Sequence, residues 1–162
     1  MNLNYNYWYF QNAFSPEQCD RIIKMGMQED FELGDINRNK VEKVKEEEKK
    51  DLFKTSHSHI SWIDQPWIYN LLKKYIDAAN VGAGWNFQWD WTEMLQFTKY
   101  DVGQFYDWHP DQHHYVYPED DTNENMRGKY RKLSTTLLLN DPKEFTGGEL
   151  EFHFNRTETK VA

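Results

Sequence analysis

Residues 87–100 read FQWDWTEMLQFTKY. Phe87, Trp89 and Trp91 alternate with polar neighbours, as Met94 does with Gln96, and this period of two is that of a half-buried strand. Working outward, Asp101-Val102-Gly103 reads as a turn and residues 104–109 as a second strand. Residues 112–131 form a long polar insertion containing Pro118 and Gly128. Residues 132–139, KLSTTLLL, read as a further strand stopped by Asn140-Asp141-Pro142, and Gly147-Gly148 precedes a last strand over 149–154.

Upstream the pattern changes to helical. The short aromatic stretch 5–10 suits a first strand. Ser15-Pro16-Glu17-Gln18 then combines an N-cap Ser, a Pro at the first helical position and a Gln that can reach back. Cys19, Ile22, Ile23 and Met27 give that helix an apolar face, so Cys19 reads as a packing residue. Residues 38–51 are almost all charged and read as a solvated spacer. Ser58–Ile63 reads as a strand. Residues 65–81 read as a second helix, with Ile68, Leu71, Leu72, Tyr75 and Ile76 at helical spacing and Gly82 and Gly84 beyond it. Helices followed by a series of strands make an α+β order, and the strand half can close into a sandwich or jelly roll.

The chain has 162 residues, enough for one domain with a single core. Seven Trp, ten Tyr and ten Phe supply large apolar areas to bury. The net charge of -8, from 19 basic and 27 acidic residues, argues against a nucleic-acid surface, which needs clustered Lys and Arg. Cys19 is the sole cysteine, so no internal disulfide forms and a reducing, cytoplasmic setting is expected. No segment has the apolar length of a membrane span, and MNLNYNYWYF lacks the features of a secretion signal. The sequon at Asn155-Arg156-Thr157 is therefore read as chance.

The chemistry sits at His109-Pro110-Asp111. On an extended chain, residues i and i+2 face the same way, so an imidazole nitrogen and a carboxylate oxygen can reach one metal. Such a pair supplies two corners of a two-His, one-carboxylate facial triad, which suits non-haem Fe(II) and leaves positions open. Pro110 cannot donate a ladder hydrogen bond, so the pair belongs at a strand end or sheet edge. The spacing alone is weak evidence in a chain with 6 His and many Asp. His113 and His114 read as residues of the polar loop.

The context is more specific. Residues 100–111, YDVGQFYDWHPD, resemble the Y-x-x-G-x-x-Y-x-x-H-x-D stretch of prolyl 4-hydroxylase-like oxygenases. Residues 131–142, RKLSTTLLLNDP, followed by FTGGEL at 145–150, are similar to the corresponding stretch of PKHD-type hydroxylases of bacteria and phages. The resemblance implies a double-stranded β-helix, or jelly roll, with N-terminal helices packed on it. It implies one oxygenase domain over 1–162, with a helical portion over 1–85 and jelly-roll strands over 86–162. The implied activity is hydroxylation of a C–H bond in a prolyl or similar side chain, coupled to decarboxylation of 2-oxoglutarate to succinate. Fe(II), 2-oxoglutarate and L-ascorbate are the implied cofactors, and a peptide, protein or amino acid is the implied substrate. His109 and Asp111 match the first two iron ligands. Tyr100, Thr136 and Leu138 fall where the 2-oxoglutarate pocket is lined. Gly147 and Gly148 match a structural turn.

The family's third ligand, a second His, lies well beyond the GGEL strand, and a cation for the distal carboxylate of 2-oxoglutarate follows it. Ala162 comes shortly after Gly148, His153 lies within the GGEL strand, and Arg156 and Lys160 fall too early. A C-terminally truncated sequence, with final strands missing, is the simplest expectation. The 162 residues alone would then bind divalent metal weakly and turn over negligibly. The rival readings are a non-catalytic protein of the same fold and a sugar-binding sandwich using Trp85, Trp89, Trp91 and Trp108.

Overall fold

The structure is a computed structural model that describes residue 3 and residues 5–34, 58–111, 115–154 and 157–161. The charged spacer, His113, His114 and the Asn155-Arg156 part of the sequon lie outside the described residues. The architecture is α+β. In chain order the elements are α1 (Pro16–Gly26), β1 (Glu32–Gly34), β2 (Ser58–Ile63), α2 (Pro66–Gly82), β3 (Leu95–Lys99), β4 (Leu150–Phe154) and β5 (Thr157–Val161), with a 3-10 turn at Pro142–Glu144. The chain divides into two compact units: residues 22–64 with 92–111, and residues 1–21 with 65–91 and 112–162.

Helix α1 starts where its capping residues dictate. The Gln18 side-chain oxygen accepts from the Ser15 backbone N–H at 2.8 Å, and the Ser15 hydroxyl accepts from the Gln18 N–H at 3.3 Å. Two orphan donors of the first turn are thus satisfied reciprocally. Ile22 and Gly26 are buried, and Cys19 is half-buried with its thiol pushed up by burial and then by Asp20. Met27 is a correction to the expected apolar face: it lies one residue past the helix and is exposed.

The first unit is built on an antiparallel sheet in the order β1-β2-β3. Ile60 faces Thr98, Ser61 faces Phe97 and Ile63 faces Leu95. Ile60, Ile63 and Phe97 are buried, together with Ile22 of α1. Phe97 lies so close to Gly26 that a Cβ there would collide with the aromatic ring, which explains a glycine at the end of α1. Ser61 is fully buried, and its hydroxyl donates to the Gly26 carbonyl at 2.9 Å, so the polar group inside the core is satisfied. Strand β1 was not evident in the sequence. Three residues are too few to show a period.

In the second unit, α2 runs one residue past the expected end and buries Ile68 and Asn80. Tyr75 packs against Phe10 and Phe14, and its hydroxyl donates to the Ala13 carbonyl. The β4–β5 pair is antiparallel, with Leu150 opposite Val161 and His153 opposite Glu158. Tyr7 stacks on Phe152. Among the described residues no helix is long and apolar enough to cross a membrane.

Several expected strands form no ladder. Residues 5–10, 87–94, 104–109 and 132–139 form no strand, although Tyr106 makes an isolated bridge. The side-chain alternation is nevertheless present: Trp85, Phe87, Trp89 and Trp91 are half-buried while Asn86, Gln88 and Asp90 are exposed. What replaces the ladder is the helix beside it. Buried Asn80 accepts from the Phe87 N–H at 2.9 Å and donates to the Phe87 carbonyl at 2.8 Å, standing in for a neighbouring strand. Each such bond is worth about 1 kcal/mol net, and more if a buried partner is stranded. Trp89 donates to Asp77 at 3.1 Å under the Lys73 ammonium, and Trp85 donates to the Tyr5 carbonyl at 2.6 Å. Hydrogen bonding to Lys73 holds the Asp77 carboxyl below the usual range. These tryptophans are engaged in internal packing, which weighs against sugar stacking at Trp85 and Trp89.

Candidate metal centre

The centre is prepared by the end of β3. Lys99 pairs with Asp101 at 2.8 Å and, by hydrogen bonding, holds that carboxyl below its ordinary range. His59 of β2 places Nδ1 3.5 Å from the same carboxylate, an ion-pair distance without hydrogen-bond alignment, so this buried nitrogen has no hydrogen-bond partner. Asp101 also closes a tight turn. Its N–H donates to the Gln104 side chain at 2.7 Å, and its carbonyl accepts the Gln104 N–H at 2.9 Å. Gly103 takes φ +81 there, a left-handed conformation that a residue without Cβ adopts freely. The chain leaves this turn as the loop that carries Tyr106, Asp107, His109 and Asp111.

Within the loop, the Asp107 side chain accepts the Trp108 N–H at 2.8 Å. The Asp107 backbone carbonyl lies 2.7 Å from His109 Nδ1. A carbonyl only accepts, so Nδ1 is the donor there and Nε2 is the nitrogen turned toward Asp111. Nε2 and the Asp111 Oδ1 lie 3.1 Å apart. At this separation the two atoms can share either a proton or a metal ion.

The donor set fits a metal. Two donors held at right angles, each about 2.1 Å from an ion, are separated by roughly 3.0 Å. One imidazole and one carboxylate are two of the three ligands of the facial triad. An Nδ1–H bonded to a backbone carbonyl is the usual outer support of a ligating imidazole. Among the described residues no group of three or more His, Cys, Asp or Glu could hold a metal, so these two donors are the part of a site that the described residues supply.

Residues 95–162 match the 2OG-Fe(II) oxygenase superfamily. The match to this oxygenase family opens at the first residue of β3 and includes Tyr100, His109 and Asp111. No curated protein and no solved structure matches the chain. The superfamily implies a jelly roll. Among the described residues the strands form a three-stranded sheet and a two-stranded hairpin instead.

The other residues singled out from the sequence are placed as follows. Tyr100 directly follows β3 and is about half exposed; burial raises its phenol pKa, and Tyr106 adds to the shift. The raised value keeps Tyr100 a neutral O–H donor through the physiological range. Thr136 and Leu138 lie in the other unit, outside any helix or strand, and both are exposed. His153 is an exposed residue of β4. Sequence reasoning passed over Tyr106 and the Asp107 carbonyl. Tyr106 lay within the quoted motif three residues before His109, but a backbone acceptor leaves no trace in residue type.

Proposed function

We propose that the protein is an Fe(II)- and 2-oxoglutarate-dependent hydroxylase of the prolyl 4-hydroxylase type, acting on a prolyl or similar side chain in a peptide, protein or free amino acid. The observation that carries this reading is the convergence of His109 Nε2 and Asp111 Oδ1 at 3.1 Å, with Nδ1 already tied to the Asp107 carbonyl, inside the segment that matches the oxygenase family. Iron with 2-oxoglutarate supplies the oxidising power for C–H hydroxylation, releasing succinate and CO2, and ascorbate keeps the iron reduced. His109 and Asp111 hold the metal. Tyr100 offers its hydroxyl to the carboxylate-bearing cosubstrate. A second reading is a non-catalytic protein of the same fold.

The two readings separate in one assay. The protein as its gene encodes it is incubated with Fe(II), ascorbate, O2, 2-oxoglutarate and a proline-containing peptide, and succinate is measured. Release that disappears in His109→Ala supports the hydroxylase. Absence of release at full metal occupancy supports the non-catalytic reading.

A further inference from the structure

Tyr106 touches the His109 imidazole, with ring centroids 4.0 Å apart and planes at 82°. The family match covers this residue but gives it no role. We propose that Tyr106 is a positioning residue for His109: its ring, with the Asp107 carbonyl, fixes the plane of the imidazole so that Nε2 points toward Asp111. The inference rests on the metal-binding reading for its purpose, but its geometry stands alone.

A single hydrogen bond at Nδ1 sets which nitrogen carries the proton. It leaves the ring free to pivot about that bond and to turn over about Cβ–Cγ. His109 has a side-chain exposure of 35%, so burial alone does not hold the ring. A perpendicular aromatic ring in contact removes the pivot, because turning the imidazole drives it into the neighbour. The backbone of Tyr106 is anchored by an isolated bridge, which places the chain that carries this ring. The loop around it is short-range in construction, with Asp107 capping Trp108 and the Asp101–Gln104 turn closing its base. The orientation of His109 is thus set by its own near neighbours. In a metal site, outer contacts of this sort change affinity by roughly 10–100-fold.

The test uses histidine-labelled, metal-free protein and nitrogen NMR above the ordinary histidine titration range, with His109→Ala identifying the His109 signals. Wild type and Tyr106→Phe are expected to show one fixed Nδ1–H tautomer, and Tyr106→Leu an averaged one. Co(II) titration should give unchanged affinity for Tyr106→Phe and a loss of about 10-fold or more for Tyr106→Leu. A wild-type signal that is already averaged, or a Tyr106→Leu protein that matches wild type in both measurements, overturns the proposal. Should Tyr106→Leu not fold, Tyr106→Met removes the ring with a more adaptable side chain and carries the same expected result in both measurements. Should His109→Ala leave Co(II) affinity unchanged, the metal-binding reading falls, and the tautomer measurement still decides the role of Tyr106.

Discussion

Replacing His109 or Asp111 by Ala is expected to abolish detectable Co(II) or Mn(II) binding in a titration that resolves the wild type, while the fold remains. The two side chains converge to 3.1 Å, and each variant leaves one donor. Losing a ligand should cost more than the roughly 10–100-fold seen on losing an outer partner. Both side chains are substantially exposed, at 35% and 54%. An exposed ion pair contributes about 0–1 kcal/mol, so the thermal midpoint should barely move. Asp111→Asn keeps the shape and removes the charge, and it should lose binding nearly as completely. Wild-type affinity in His109→Ala would place the metal elsewhere.

The largest effect on stability is expected at Phe97. Its ring is 9% exposed, lies over Gly26 and packs near Phe31 with centroids 6.3 Å apart. Phe97→Ala removes a side chain that joins β3 to the end of α1 and should cost about 3–5 kcal/mol. That is a large part of the 5–15 kcal/mol typical of a whole domain. Phe97→Leu retains most of the volume and should cost about 1 kcal/mol. Because the loop bearing His109 follows β3 directly, metal binding in Phe97→Ala should fall in step with the folded fraction in urea. A loss under about 1 kcal/mol for Phe97→Ala would show that this contact is not central to the core.

These two positions also mark how far the sequence could be read. The start of α1 was legible because Ser15, Pro16 and Gln18 act on neighbours three residues away. Helix α2 was legible because Ile68, Leu71, Leu72, Tyr75 and Ile76 recur at helical spacing. Residues 132–139 show the limit. Leu133, Leu137 and Leu139 are half-buried and Ser134, Thr136 and Leu138 exposed, yet no strand pairs with the segment among the described residues. Alternation records which side of a chain is covered; it does not record what satisfies the backbone. At Phe87 that partner is the Asn80 side chain, a long-range choice that residue type at Phe87 does not reveal.

The candidate site divides in the same way. The closeness of His109 and Asp111 was legible because residues i and i+2 can share a face. Which nitrogen His109 turns toward Asp111 was not, since it depends on the Asp107 carbonyl. Nor was the packing of Tyr106 on His109, which depends on how the loop turns between them. Thr136 and Leu138 were named through resemblance alone, and their exposure in the structure gives no physical account of a ligand contact.

The proposed metal centre would recruit 2-oxoglutarate. The ligand is a dianion and the chain carries a net charge of -8, so general electrostatics oppose binding unless a cation intervenes. The decisive measurement is calorimetric titration of 2-oxoglutarate into the protein with and without Mn(II). Binding is predicted with Mn(II) in the wild type, none without the metal, and none in His109→Ala with Mn(II) present. Equal binding of 2-oxoglutarate with and without metal, or undiminished binding in His109→Ala, would contradict the account.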